Sequence, residues 1–529
     1  MTEKFFKQNA ALLIMLVTAL FLRIFSLADF PPDLRNDEAS LGYNAYSILK
    51  TGKDEHGEFL PTVFKSFGDW KMGGYIYLTV PFVAILGLNE LSVRLPSAIF
   101  GILCVWLMYE IALQIFANSA FASKKLALIS GIVFALSPLY ITFSRGAWEV
   151  NVSLALTLFA ILFFLKAVNG KRKLLLVSAL FFGLTLLTSH TAKLSSPIIL
   201  GVLGMSYWRQ FKEINIRLIT MGVLIGMIFV IPVGLSFIEG KFSRIMTLNI
   251  FSYHSEIIPL LQSIATRWFS LYSASTLFIK GDTNPQHTPP NTGPFLLLDS
   301  IFLAVGAIRL IQKGTYQQNI FIWVSLLLLS LPSALTIEKT NLERVLPMFI
   351  PMILIISIGI QSLWEIVKSK YGAKFIFATF IFLYALNYFY FLDQYFIHAT
   401  KKTYAGYREI VEKVIPIQYQ YQHIFVQQSL EHPYIFFLFY QKYDPYKYQQ
   451  IVKDIFVPNK GGKDMGQVLG FENIVFTNID WERNEVIHNA LYVMPVYKLN
   501  QQSEFYRDYK FMDEAKDLNG FPLFKIVEI

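Results

Sequence analysis

The sequence predicts an all-α polytopic membrane protein of about eleven transmembrane helices, followed by a small α/β domain. Hydrophobic residues make up 54% of the 529 residues and charged residues only 16%, whereas soluble domains carry roughly 25% charged residues. Several apolar runs reach about 18 residues or more, which is enough to cross about 30 Å of hydrocarbon. After residue 392 these runs give way to short apolar segments separated by Pro, Gly and charged residues.

The predicted spans follow from length and apolarity. The first run lacks a small-residue cleavage site and leads into further spans, so we expect a retained helix rather than a cleaved signal. Segment 75–88 is too short to span easily and is predicted to be a re-entrant or interfacial helix. Segment 40–50 is predicted to be an amphipathic helix at the same surface. The eleven spans lie near 8–28, 92–116, 126–143, 150–168, 173–189, 195–208, 217–238, 295–311, 319–336, 345–366 and 374–392.

Basic residues occupy every second connection between the spans, which predicts the orientation of the chain. By the positive-inside rule these connections face the cytoplasm. The N-terminus is therefore predicted inside, whereas the long loops 29–91 and 239–294 and the tail 393–529 are predicted outside. The basic residues are Lys4, Lys7, Lys124, Lys125, Lys171, Arg172, Lys173, Arg209, Lys212, Arg217, Lys313, Lys368, Lys370 and Lys374.

The net charge of +9 does not indicate a nucleic-acid partner, because the basic residues sit where membrane topology requires them. The lone cysteine, Cys104, lies in an apolar run. It excludes an intramolecular disulfide and a CxxC metal site.

The tail 393–529 is predicted to form a separate extracytoplasmic α/β domain beside a transmembrane domain 1–392. Its length suits one small domain. The apolar segments 423–428, 434–440 and 473–477 have the pattern of buried strands. No residue of the tail stands out as a catalytic candidate.

Ionisable residues recur at the predicted outer ends of the spans. Charges at membrane depth are costly and tend to face a cavity. Lysine and arginine bind phosphate oxygens, and a carboxylate can take a proton from a hydroxyl. The candidate site residues are Asp37, Glu38, Lys71, Arg94, Arg145, Asp282, His287 and Arg344.

The segments around these residues, in this order, resemble a family. They are the acidic pair Asp37-Glu38, 70-WKMGGYIYL-78, 93-VRLPSAIFG-101, 137-SPLYITFSRGAWEVN-151, 279-IKGDTNPQHTPPNTG-293 and 341-NLERVLPMFIP-351. The chain resembles the polyprenyl-phosphate-dependent membrane glycosyltransferases of the GT-C fold, in the branch of protein O-mannosyltransferases and aminoarabinose transferases. The resemblance covers about the first 390 residues.

The resemblance implies a donor sugar on a polyprenyl phosphate and an inverting single displacement at the outer face. It implies that Asp37, or failing that Glu38, is the base, and that Lys71, Arg344 and Arg145 bind the donor phosphate. Arg94, His287 and Asp282 are expected to bind substrate. Met-Gly-Gly after Lys71 departs from the aminoarabinose branch, so the sugar is left open, as is an acceptor on protein, lipid or glycan.

Other interpretations fit parts of the pattern. The acids could be solvated charges at a helix N-terminus, Lys71 could reach lipid headgroups, and Arg145 could pair with Glu149 four residues on. We expect no cofactor, and a divalent metal is the less favoured alternative because few acids lie near the outer span ends. The alternative function is a lipid or solute transporter or flippase. It is disfavoured because few ionisable residues lie within the spans.

Overall fold

The structure, a computed structural model, divides into two compact units. The helical unit comprises Met1–Phe25 and Ser97–Ala399, and the mixed unit comprises Ser26–Pro96 and Thr400–Ile529. The structure describes residues 2–67, 69–241, 249–253, 256–368, 371–399, 405–429, 431–457, 466–483 and 485–529, and the side chains of 2–8 are outside this description.

Helices dominate the chain up to residue 399. The α-helices described before Gly240 are α1 (Thr2–Ile24), α2 (Asn36–Thr51), α3 (Gly74–Leu86), α4 (Glu90–Phe116), α5 (Lys124–Leu136), α6 (Pro138–Arg145), α7 (Glu149–Val168), α8 (Leu174–Leu186), α9 (Ala192–Ser206), α10 (Trp208–Lys212) and α11 (Ile216–Ile238). Later helical segments are Ile250–Tyr253, Ile257–Leu271, Ser275–Ile279, Asp299–Lys313, Tyr316–Asn319, Ile320–Val324, Ser325–Leu329, Leu331–Ala334, Glu343–Met348, Phe349–Val367, Ala373–Asp393 and Gln394–Ala399.

By length and composition, five of the described helices can cross a membrane, or six if α5 and α6 form one bent span. These two helices meet at 57°, because Pro138 follows Ser137 and disfavours a helical conformation there. Each of the eleven predicted spans coincides with helical structure, but α8 and α9 have only 13 and 15 residues. The predicted count of eleven is therefore not established by helix length.

The fraction of side chains that is buried differs between the apolar helices. Most side chains of α7 are buried, whereas only Gly222 and Ser236 of α11 are buried. Gly306 and Gly359 let Asp299–Lys313 pack closely on Phe349–Val367, since a Cβ at either glycine would overlap a backbone carbonyl of the other helix. Small residues at such crossings are typical of membrane helix pairs.

The mixed unit contains α2, α3, a hairpin and the sheet of the tail. The strands are β1 (Val63–Ser66), β2 (Asp69–Met72), β3 (His423–Gln427), β4 (Phe456–Val457), β5 (Gln467–Val468), β6 (Gly470–Phe471), β7 (Ile474–Thr477), β8 (Ala490–Pro495), β9 (Lys510–Lys516) and β10 (Pro522–Glu528). The central strand β3 is parallel to β7 and β8, and the sheet order is β6-β7-β3-β8-β10-β9. The helices of the tail are Tyr407–Val414, Ile415–Gln420, Tyr434–Tyr440, Pro445–Ile455 and Val496–Gln502.

One predicted strand of the tail is wrong. Segment 434–440 is the helix Tyr434–Tyr440, whereas the strands predicted over 423–428 and 473–477 are confirmed. Its first six side chains are buried. An apolar run of seven residues buried on all sides has no periodicity that separates strand from helix.

The loop 29–91 packs with the tail, although the sequence analysis assigned it to the domain 1–392. The predicted helices over 40–50 and 75–88 are confirmed as α2 and α3. Gly42 of α2 lies against the Phe439 ring with no room for a Cβ, and the Tyr43 hydroxyl donates to the Tyr443 carbonyl at 3.1 Å. These contacts join α2 to the tail as parts of the mixed unit.

Candidate active site

The neighbouring acids Asp37 and Glu38 have opposite environments in the first turn of α2. Successive helix residues project about 100° apart. The Asp37 side chain is 57% exposed, whereas that of Glu38 is fully buried. Only Asp37 can therefore meet a substrate at the surface without rearrangement of the helix.

Glu38 caps α2 and pairs with a buried arginine. Its Oε2 accepts the main-chain N–H of Arg35 at 3.1 Å, which satisfies a donor at the helix N-terminus. Arg94 donates from Nε to Oε1 at 3.2 Å and from Nη2 to Oε2 at 3.3 Å. The two charges thus compensate each other in the interior of the mixed unit.

Arg94 also fixes the chain that leads into α2. Its guanidinium is fully buried, so its donors serve the protein itself. It donates to the carbonyls of Leu27, Ala28, Pro31 and Asp33 at 3.2, 3.3, 2.7 and 2.5 Å. This arginine, which we expected to bind substrate, is surrounded by main-chain oxygens in the structure.

Lys71 meets Asp37. It lies on β2, opposite Phe64 of β1, so the hairpin directs its side chain. Its Nζ is 2.6 Å from Asp37 Oδ1 and 4.9 Å from the centre of the Phe67 ring. The lysine side chain is 14% exposed. The structure therefore brings together two of the predicted site residues, an acid and a cation.

His432 of the tail lies at the same phenylalanine, and sequence analysis missed it. Its ring stacks on Phe67 with centroids 4.4 Å apart and planes inclined by 14°. Burial lowers the pKa of His432 to about 4, against the opposing effect of Asp37. A single histidine between Glu431 and Pro433 has no spacing that signals a site, so only the fold reveals it.

Glu55 is a second acid that the sequence analysis passed over. Asn44 donates to its Oε1 at 3.1 Å and accepts its main-chain N–H at 3.0 Å. The side chain is fully buried, and burial raises its pKa to about 8. The segment 52-GKDEHGE-58 is polar and has the composition of an exposed turn, so the sequence does not indicate that Glu55 is buried.

Arg145 closes the end of α1 within the helical unit. It donates to the carbonyls of Leu22 and Phe25 at 3.0 and 2.8 Å, and its guanidinium lies 5.2 Å from the centre of the Phe396 ring. Carbonyls at a helix C-terminus lack partners within the helix. Arg23, which sequence analysis missed, is also buried here and donates to Ser144 at 3.2 Å.

Asp282 and His287 join two segments of the helical unit. His287 Nδ1 lies 2.5 Å from Asp282 Oδ2, which also accepts the Leu342 N–H at 2.9 Å. His287 Nε2 is 3.6 Å from Glu343. Burial alone would lower the pKa of His287, but these two carboxylates raise it to about 9. These contacts hold segment 282–287 against segment 342–343.

One donor atom of Arg344 has no partner among the described residues. Its Nη2 lies 3.4 Å from Glu338, and the side chain is 18% exposed. Its Nη1 makes no hydrogen bond with any residue that the structure describes. Its role at the donor phosphate stays a prediction.

The predicted site residues thus fall into sets that each unit holds by itself. Asp37, Lys71, Glu38 and Arg94 belong to the mixed unit, whereas Arg145, Asp282, His287 and Arg344 belong to the helical unit. Within the described ranges, no three His, Cys, Asp or Glu side chains are grouped to hold a metal ion.

The chain shares its fold with a solved structure over nearly its whole length. ArnT from Cupriavidus metallidurans, solved with undecaprenyl phosphate, superposes with a TM-score of 0.58 at 12% identity, over 98% of each chain. The same protein in the apo state gives a TM-score of 0.56, also at 12% identity and over 98% of each chain. The chain has the GT-C fold.

A more distant GT-C structure also matches. The oligosaccharyltransferase of Archaeoglobus fulgidus, tethered to an acceptor peptide, has a TM-score of 0.50 at 12% identity and covers 82% of this chain and 63% of its own. No curated protein matches the chain by sequence.

A family model supports the same resemblance over part of the GT-C chain. The model of dolichyl-phosphate-mannose-protein mannosyltransferases matches residues 74–235. This match begins at α3 and ends in α11. It leaves out Asp37, Lys71 and the tail.

Proposed function

We propose that the protein transfers a sugar from a polyprenyl-phosphate donor to an acceptor hydroxyl, by a single inverting displacement at the outer face of the membrane. The observation that carries the proposal is the ion pair between the exposed carboxylate of Asp37 and the ammonium of Lys71. A base and a phosphate-binding cation are the two groups that this reaction requires. ArnT, which shares the fold, was solved with undecaprenyl phosphate.

In the proposed reaction, Asp37 takes the proton of the acceptor hydroxyl as its oxygen attacks the anomeric carbon. A new bond forms between that oxygen and the carbon, and the bond from the carbon to the phosphate oxygen breaks. The lipid phosphate leaves with the bonding electrons, and the Lys71 ammonium stabilises its growing charge. One base suffices because the displacement has a single step, unlike the two-carboxylate glycosidases.

The buried residues position this pair rather than react. Glu38 and Arg94 hold the start of α2, because their charged groups contact each other and the main chain. We likewise assign Arg145 to the end of α1, and Asp282 with His287 to the loop before Asp299–Lys313. These assignments leave Asp37 as the base.

The membrane arrangement belongs to the same proposal. Eleven spans, a cytoplasmic N-terminus and an extracytoplasmic tail would place Asp37 on the outer side. The alternation of basic connections supports this orientation. The sugar is a hexose or a pentose, and the acceptor hydroxyl belongs to a protein, a lipid or a glycan.

The test is a transfer assay with the full chain in lipid nanodiscs. Undecaprenyl phosphate carrying mannose, glucose or aminoarabinose is supplied, and release of the lipid phosphate is followed with and without acceptor peptides, lipids and glycans. We expect Lys71→Met to raise the donor KM and to lower kcat. The matched control is Lys413→Met, because Lys413 forms a 2.9 Å ion pair with Asp513 elsewhere in the mixed unit.

Wild-type donor KM and kcat in Lys71→Met would contradict the proposed phosphate contact.

A transporter would give another result. Counterflow of a labelled lipid-linked sugar across sealed vesicles, with no covalent product from any donor, would favour transport over transfer.

A further inference from the structure

Two side chains from distant parts of the mixed unit contact the Phe67 ring. His432 stacks face to face on it, with centroids 4.4 Å apart, and the Lys71 ammonium lies 4.9 Å from its centre. The same ammonium is 2.6 Å from Asp37. An imidazole from the tail and the lysine of the acid-lysine pair therefore contact the same aromatic ring.

The backbone holds this stack in an unusual conformation. His432 has φ of +51° and Phe67 has φ of +54°. Residues other than glycine are uncommon in this left-handed region, and such strain concentrates at functional sites. Both residues of this stack therefore have a backbone conformation that residues other than glycine rarely adopt.

The imidazole also keeps a polar atom without a partner. His432 is only 3% exposed, and its Nδ1 makes no hydrogen bond with any of the described residues. A buried polar atom left without a partner destabilises a protein by about 1–3 kcal/mol. Phenylalanine would stack on Phe67 without this penalty, so stacking alone does not account for a histidine.

We infer that His432 binds a hydroxyl group of a substrate, either on the transferred sugar or on the acceptor, through an Nδ1 that becomes accessible when the side chains around it rearrange. This inference rests on the proposed function and adds a residue from the tail to it. Burial keeps the imidazole neutral, with a pKa of about 4. A neutral imidazole nitrogen donates or accepts according to its tautomer, and a hydroxyl can be its partner in both cases. Asp37 takes the proton, Lys71 binds the phosphate, and His432 contributes to substrate specificity.

The decisive variant is His432→Phe, which keeps an aromatic ring against Phe67 and removes the nitrogen. Binding of undecaprenyl phosphate with and without mannose, glucose or aminoarabinose is measured on the full chain in nanodiscs, together with KM for the acceptor. We expect roughly 5- to 100-fold weaker binding of a sugar-bearing lipid, or a rise of that size in acceptor KM. Affinity for bare undecaprenyl phosphate should stay within about twofold of wild type.

Two further variants keep the result interpretable. His423→Phe makes the same exchange at an exposed position of β3 and should leave all constants unchanged. His432→Asn supplies an amide and tolerates a positive φ, so it should recover part of the loss. The thermal unfolding midpoint is recorded for each variant.

The outcomes separate this inference from the proposed function. Wild-type sugar binding and acceptor KM in His432→Phe would overturn the inference alone. So would an equal loss for bare undecaprenyl phosphate, since that would indicate general disruption of the phosphate site. A wild-type chain that neither binds nor turns over any of these lipids would overturn the proposed function together with the inference.

Discussion

Asp37 and Glu38 adjoin in the sequence, yet the first side chain is 57% exposed and the second is buried against Arg94. The sequence predicted that one acid of this pair is the base, and the motif match favoured Asp37. The sequence could not show why Asp37 is the exposed acid, because Arg94, which pairs with Glu38, lies 56 residues further along the chain. The long-range pairing decides which acid reaches solvent.

This difference predicts opposite phenotypes for the two amide substitutions. Asp37→Asn should lower kcat by roughly 10²- to 10⁴-fold, because it removes the proposed general base, and should leave thermal unfolding unchanged. Glu38→Gln should destabilise the fold by about 3–5 kcal/mol, since it leaves the buried Arg94 charge without a counterion. Turnover and the unfolding midpoint are measured on both. A wild-type kcat in Asp37→Asn would show that Asp37 is not the base.

The buried carboxyl of Glu55 predicts a pH dependence of stability. Its pKa is raised from 4.5 in the unfolded chain to about 8 by burial. Between these values the folded state binds the proton and the unfolded state does not, so the free energy of unfolding falls as pH rises. In Glu55→Gln this contribution should vanish. The advantage of the variant over wild type should therefore grow from pH 5 to pH 8, measured by thermal unfolding; an advantage independent of pH would contradict it.

At the scale of elements, periodicity and length located α2, α3 and helical structure at every predicted span. They failed at 434-YIFFLFY-440, which is a helix, because a uniformly buried run carries no periodicity. They also could not anticipate that His432, just before this helix, would reach Phe67 of the hairpin. Contacts between segments far apart in sequence leave no local pattern.

The crossing of Asp299–Lys313 with Phe349–Val367 predicts a strong effect of one methyl group. Gly359→Ala should lower the unfolding midpoint, because the added Cβ overlaps the Phe302 carbonyl and the helices must separate. The cost should be about 1–3 kcal/mol. Gly226→Ala in α11 is the control, since a Cβ there meets nothing within 4 Å. Equal midpoints for the two variants would argue against the close crossing.

For the whole molecule, the orientation can be tested by labelling, because the single cysteine, Cys104, is buried. In a Cys104→Ser background, Leu518→Cys should react with an impermeant maleimide added to intact cells. Tyr371→Cys should react only after permeabilisation, since 368–374 is predicted to be cytoplasmic. Both native side chains are exposed. Labelling of both from the same side would refute the topology and, with it, the outer site.

The packing of α2 on the tail has a consequence for biosynthesis. The Tyr43 hydroxyl reaches the Tyr443 carbonyl, a partner 400 residues further along the chain. The acid-bearing helix is therefore synthesised about 400 residues before the surface that covers its apolar side. A chain that stalls before Tyr443 would leave this helix without the surface that covers it, and would expose it to proteases and chaperones.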